Sequence, residues 1–195
     1  MASPFAEDLR RNIDEQTRLT VPRALRLIWK SYGVRALLAY RLGRWLLGAA
    51  ARPVFWPLLP PGWVLYFLLS RYVRLFFGIH LGLSARIGGG LDIDHFGDII
   101  VERCEMGPGC AIRQSVHIRP AGEGDGPVVG AHVWFGAHAR VVGPFRVGDG
   151  STIGAGAVVK RDIPARAFCV GDPARALWRN YDNKLLHSIY LYRGY

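Results

Sequence analysis

The chain has 195 residues, half of them apolar, and a formal charge of +10. That length suits one domain with an appended segment. Cys104, Cys110 and Cys169 show neither CxxC nor paired spacing, so no disulfide framework and no zinc motif is expected, and a reducing cytosol is the default compartment.

Residues 1–20 carry Glu7, Asp8, Asp14 and Glu15 but no apolar core of a signal peptide, so no secretory signal is expected. From Glu15 to Asp92 no acidic residue occurs. Arg18, Arg23, Arg26, Lys30, Arg35, Arg41, Arg44, Arg52, Arg71, Arg74 and Arg86 fall in that window, among many Trp, Leu, Phe and Tyr. Val21-Pro22 opens a helix, with Thr20 as its cap. Further on, Leu38, Leu42, Trp45 and Leu46 share one helical face, flanked by Arg41 and Arg44. Pro53 to Ser70 is uncharged. A spanning helix needs about 20 apolar residues, and Pro57, Pro60, Pro61 and Gly62 interrupt this one. The expectation is two short helices meeting at Pro60-Pro61-Gly62 as a hairpin dipping into one leaflet of an anionic membrane. Packing of the hairpin on the rest of the protein is the alternative. No nucleic-acid-binding motif accompanies the basic charge.

From Val129 to Pro164 the chain repeats every six residues. Val129, Phe135, Val141, Val147, Ile153 and Val159 are apolar, and Gly130, Gly136, Gly148 and Gly154 follow four of them. Period six fits neither a helix nor a simple strand, and it predicts a parallel β-helix with one short strand and one corner per hexapeptide. Glycine serves where a Cβ would clash at the turn. Ile87, Ile93 and Ile99 extend the repeat upstream. Ile100, Met106, Ile112 and Ile118 continue it one residue out of phase, which puts a one-residue insertion near Gly97 to Val101. The Gly/Pro-rich run 119–128 reads as a loop leaving the helix. Roughly four turns are expected. The predicted organisation is a helical segment 1–78, a β-helix 79–170 and a tail 171–195.

These motifs resemble the left-handed β-helix acyltransferases of the hexapeptide class. Val133-Trp-Phe-Gly-Ala-His-Ala-Arg-Val-Val-Gly143 is similar to that family's cofactor-binding coil. Ile153-Gly-Ala-Gly-Ala-Val-Val-Lys160, Asp162-Ile-Pro164 and Val170-Gly-Asp-Pro-Ala-Arg175 resemble its terminal signature. Gly90-Leu-Asp-Ile-Asp-His-Phe-Gly-Asp-Ile-Ile-Val101 and Ile112-Arg-Gln-Ser-Val116 resemble the serine acetyltransferase branch, which includes enzymes that O-acetylate bacterial polysaccharides. The resemblance implies a mainly β protein, a left-handed parallel β-helix, assembled as a homotrimer. It implies acetyl-CoA bound between neighbouring β-helices, with no metal.

In that resemblance His95 is the general base that takes the acceptor's hydroxyl proton. Asp94 matches a substrate-binding aspartate. The carboxylate that orients the histidine in the family corresponds to Gly78, so Asp92, Asp94 or Glu102 must replace it. Adjacent strand residues point opposite ways, so Asp94 is expected to touch the acceptor rather than the ring. Asp92, Arg113, Gln114 and His117 are further candidates for the acceptor site. Gly136, Ala137, Gly154 and Ala155 match the positions that line the pantetheine arm, and Lys160, Arg161 and Arg175 are candidates for the phosphates. His132 and His138 are expected at the surface, with His138 near the cofactor.

The family's Arg-His pair that grips serine's carboxylate aligns with about Asp125 and Gly126, and an acidic residue there repels a carboxylate. The sequence therefore points to a saccharide hydroxyl as acceptor, on a polysaccharide or lipid-linked glycan, at the inner face of the cytoplasmic membrane. Serine O-acetyltransferase is the alternative. A metal-dependent lyase resembling the γ-type carbonic anhydrases and a non-catalytic trimeric membrane scaffold are the rivals from other classes.

Overall fold

The computed structural model describes residues 3–12 and 20–191; Asp14, Glu15, Arg18 and the last four residues of the tail lie outside them. Helices α1 (Pro4–Arg11), α2 (Val21–Lys30), α3 (Tyr32–Ala49) and α4 (Leu59–Phe77) come first, with a 3-10 helix at Pro53–Leu58. Pro60 and Pro61 do not make a hairpin. They lie in the first turn of α4, where an amide N–H has no intrahelical partner and its loss costs nothing. The expected apolar face of α3 is also corrected. Leu37, Tyr40 and Leu46 are buried while Trp45 is half exposed, because α3 is sandwiched between α4 and the β-helix.

The rest is a solenoid of five turns. The first turn is β1 (Ile79–Leu81), β2 (Arg86–Ile87) and β3 (Asp92–Ile93); the second is β4 (Ile99–Val101), β5 (Glu105–Met106) and β6 (Ala111–Ile112). Next come β7 (His117–Arg119), β8 (Val128–Val129) and β9 (Trp134–Phe135), then β10 (Arg140–Val142), β11 (Arg146–Val147) and β12 (Thr152–Ile153). The last turn has β13 (Val158–Val159), a bridge at Ile163 and β14 (Phe168–Val170). Strands stack in parallel on three faces, β1-β4-β7-β10-β13, β2-β5-β8-β11 and β3-β6-β9-β12-β14. The sequence reading undercounted by one turn, although its bounds of 79–170 enclose all five.

Inward side chains build one apolar column. Ile93, Ile112, Phe135, Ile153 and Cys169 stack on one face, and Leu81, Val101, Ile118, Val141 and Val159 on another, all buried. Gly130, Gly136, Gly148 and Gly154 do not have positive φ. Their requirement is proximity: a Cβ on Gly136 would lie 2.6 Å from the Ala155 nitrogen of the next coil. The left-handed corner positions come two residues later, where His132, His138, Gly150 and Gly156 stand. Cys104 and Cys110 occupy equivalent places before β5 and β6 of one turn, rather than on successive coils. Burial pushes their thiols up, to about 12 and about 11, so neither is a ready nucleophile.

The open first turn is closed by α3. Leu37 and Tyr40 are buried against it, and the Tyr40 hydroxyl donates to Ala85 O and accepts from Ile87 N. Arg41 donates to Ile87 O, Gly88 O and the Asp8 carboxylate of α1. At Gly33 a Cβ would collide with the Ile93 carbonyl, so α3 lies directly on the strand that leads to His95. Beyond the last turn, β15 (Arg175–Trp178) runs antiparallel to β14, and α5 (Lys184–Leu191) returns along the prism. His187 of α5 meets Arg11 of α1, with 2.5 Å between His187 Nδ1 and Arg11 Nη2.

Two expectations follow. Gly136→Ala should cost about 1–3 kcal/mol through overpacking against backbone, whereas Gly48→Ala, in open space on α3, should gain about 0.4–1 kcal/mol. Thermal melts followed by circular dichroism should therefore shift in opposite directions. Burial and the Arg11 charge lower the pKa of His187 to about 4. The folded state holds it neutral while the unfolded chain protonates it near 6.5. Stability from this group is thus full above pH 6.5 and lost as pH falls towards 4. His187→Gln should remove that part of the acid dependence in melts taken across this range.

Candidate active site

The site is built at the corner between β3 and β4. Leu81 pairs with Val101, twenty residues on, and Val101 with Ile118, seventeen on, whereas an undisturbed turn such as Val129 to Val147 takes eighteen. Two residues are therefore inserted between β3 and β4, and one is missing before β5. The single insertion read from the sequence is the net of these. Ile100, assigned there to the inward set, points outward, and Ile99 and Val101 are the buried residues.

The extra residues form the loop Asp94-His95-Phe96-Gly97-Asp98, with Gly97 and Asp98 at positive φ. Its far end is pinned to the C-terminus of α4: Gly97 N donates to Phe77 O and Ile99 N to Gly78 O. Gly78 itself is left-handed, and a Cβ there would stand 2.9 Å from the Asp98 nitrogen. An aspartate at this position would collide with the loop, so the orienting carboxylate comes from elsewhere.

The carboxylate within reach of the ring is that of Asp94. Its Oδ2 lies 3.0 Å from His95 Nδ1, an ion-pair distance without hydrogen-bond geometry. The expected alternation fails because β3 ends at Ile93, and Asp94 is already in the loop with its carboxylate turned back to the ring. Tyr32 of α3 donates its hydroxyl to the Asp94 carbonyl, and its ring meets Phe96 edge-on at 5.3 Å. The same Asp94 oxygen lies 3.1 Å from Arg113 Nη1, and Asp92 Oδ2 lies 3.5 Å from it. Arg113 is 4 % exposed and its guanidinium sits 5.5 Å from the Trp134 ring. Arg113 and Asp92 are therefore corrected from acceptor ligands to a buried ion cluster behind the histidine. Burial raises the pKa of Asp92, and the Arg113 and Arg11 charges oppose that rise. Glu102, the remaining candidate orienter, contacts His80 instead, at 3.0 Å.

A carboxylate this close to Nδ1 leaves Nε2 as the ring nitrogen available to a substrate proton. The His95 side chain is 36 % exposed, enough to meet a substrate. A second imidazole is tied to the same loop: His117 Nε2 lies 2.9 Å from Asp98 Oδ2. Asp98, Tyr32 and Phe96 were not picked out from the sequence. The phase slip was the one signal pointing to Asp98, and nothing local marks Tyr32. Gln114 is half buried at the corner after β6, its carbonyl accepting from His138 N.

Gly136 and Gly154 are buried and needed for coil stacking, and Ala137 and Ala155 flank them on the corners, with Ala155 exposed. Lys160 is paired with Asp172 at 2.8 Å. Arg161 and Arg175 line one open groove of about 590 Å³ at the last turn together with Arg179 and Asp162. The small corner residues and this groove suit a nucleotide thioester such as acetyl-CoA.

Asp94→Asn should lower kcat by about 10²–10⁴-fold with little change in KM for acetyl-CoA. A melting temperature measured on the same variant separates loss of orientation from loss of fold.

Residues 126–161 match the bacterial transferase hexapeptide family (six repeats). The serine acetyltransferase of Helicobacter pylori is 36 % identical over 155 residues, covering 76 % of this chain and 82 % of that protein. The serine acetyltransferase of Synechococcus elongatus is 35 % identical over 152 residues, covering 76 % of this chain but 58 % of its own length, so this chain spans less than two thirds of that relative. The solved Neisseria gonorrhoeae serine acetyltransferase, in complex with serine, superposes with a TM-score of 0.70 at 27 % identity, over 90 % of this chain and 68 % of that one. These relatives overturn the expectation of a saccharide acceptor: they are named for serine. The error came from weighting two loop positions, Asp125 and Gly126, above the whole prism. The chain belongs to the serine acetyltransferase family of left-handed β-helix, hexapeptide-repeat transferases.

Proposed function

We propose that this chain transfers the acetyl group of acetyl-CoA to the hydroxyl of L-serine. The observation that carries the reading is His95 on an exposed loop with the Asp94 carboxylate 3.0 Å from its Nδ1, in a prism of this family. Nε2 takes the hydroxyl proton as the serine oxygen attacks the thioester carbonyl. The C–S bond then breaks, and the imidazolium returns the proton to the departing thiolate. O-acetylserine and coenzyme A are the products. Arg113 balances the charge of Asp94 without reaching the substrate. Ala137 and Ala155 leave room for the pantetheine arm, and Arg161, Arg175 and Arg179 meet the phosphates. The assembly in this reading is a homotrimer in the cytoplasm, with acetyl-CoA between neighbouring prisms; the buried free thiols suit that reducing compartment.

Serine's carboxylate needs a cation, and the family's Arg-His pair is absent. Gly126 has no room for a histidine, since a Cβ there would collide with the Arg103 carbonyl. Arg140 is exposed and stands next to His117 in the strand register, and it takes that role in this reading. Thiol release with L-serine as acceptor is the test. Activity should fall by about 10²–10⁴-fold in His95→Ala, and Arg140→Leu should raise KM for serine with kcat nearly intact. Thiol release that does not rise above hydrolysis when serine is added would sink the assignment.

A further inference from the structure

The helices ahead of the prism carry a large apolar surface that none of the described residues covers. On α4, Val64, Leu65, Phe67, Leu68, Leu75 and Phe76 are each 50–71 % exposed. They fall at spacings of three, four and seven residues, which places them along the outward side of the helix. Pro53–Phe77 has a mean hydropathy of 1.2 in its most apolar window, and none of that window is buried. In α2, Val21, Leu25 and Trp29 form a second stripe, 62–83 % exposed, with Pro22, Arg23, Arg26 and Lys30 at the remaining exposed positions. Monomeric soluble proteins rarely expose contiguous apolar patches on this scale.

Charge decides what the surface suits. The segment from residue 16 to residue 91 has many arginines and no carboxylate side chain. Two copies meeting through this surface would set arginine against arginine with nothing to pair them. An anionic bilayer offers the opposite charge, and it accepts Trp, Phe and Leu at the boundary between headgroups and acyl chains. Arg71 and Arg74 lie within α4, where a spanning helix would carry them into hydrocarbon, so the helix lies along the surface rather than across it.

We propose that α2, the 3-10 helix and α4 dock the protein on an anionic phospholipid surface, their apolar side chains in the interfacial layer and their arginines at lipid phosphates. The β-helix stays in water. This does not depend on which hydroxyl is acetylated. The full chain is sedimented with phosphatidylglycerol/phosphatidylethanolamine vesicles and, separately, with phosphatidylcholine vesicles. It should pellet with the anionic vesicles, much less with the neutral ones, and less as salt rises. Leu68→Glu/Leu75→Glu should reduce pelleting by at least about tenfold, since each leucine exchanges favourable burial for a charge. Arg71→Gln/Arg74→Gln should weaken it by about fivefold per arginine. Both pairs should leave thiol release and the melting temperature unchanged, and if the glutamate pair does not fold, the glutamine pair decides alone. The proposal is overturned if the wild-type chain stays in the supernatant with anionic vesicles. Equal pelleting with both lipids at every salt concentration would overturn it too. So would a large oligomer in sedimentation velocity that ignores vesicles and is broken by Leu68→Glu/Leu75→Glu.

Discussion

Backbone meets backbone at the glycine corners of the prism, and that close approach is the constraint on which the rest depends. At Gly107, Gly130, Gly136 and Gly148 the next coil's nitrogen lies 2.4–2.7 Å from where a Cβ would be. With that spacing kept, each coil repeats the one below it, and inward residues stack into a dry column wide enough for a single side chain per face. The hydrogen bonds of the short strands within the prism are then satisfied by the coil above and the coil below, which two-residue strands could not achieve in an isolated sheet.

A solenoid this regular has little freedom to make a site except where the repeat breaks. The two extra residues between β3 and β4 provide that break. They lift Asp94 and His95 off the strand, and the loop is then gripped from three sides: by the C-terminus of α4 through Phe77 and Gly78, by Tyr32 of α3, and by the Arg113 cluster beneath. The buried guanidinium serves two carboxylates at once. Such clusters seldom add stability over an apolar core, so its value lies in holding Asp94 against the ring. The helical segment is therefore a structural part of the site. Removing α3 would free both the end of the prism and the loop that carries the histidine.

The repeat was plain in the sequence because its signal is one-dimensional: an apolar residue every sixth position, with glycine beside it, survives without any knowledge of contacts. His95 was found through the Asp-Ile-Asp-His motif. What misled the reading was alternation applied past the end of a strand, which turned Asp94 away from the ring, and proline read as a breaker at Pro60-Pro61, where it opens a helix. Arg113 and Asp92 looked like surface ligands because nothing local says that α1, α5 and Trp134 bury them.

The sequence by itself thus determined the prism, the place where its phase slips and the imidazole beside that slip, since each is written as spacing along the chain. Only the tertiary structure decided the partner of that imidazole, the exposure of α4 and the closure of the first turn. Those depend on which distant segments arrive at the same point, and ion pairing, burial and steric exclusion between coils are properties of that arrival.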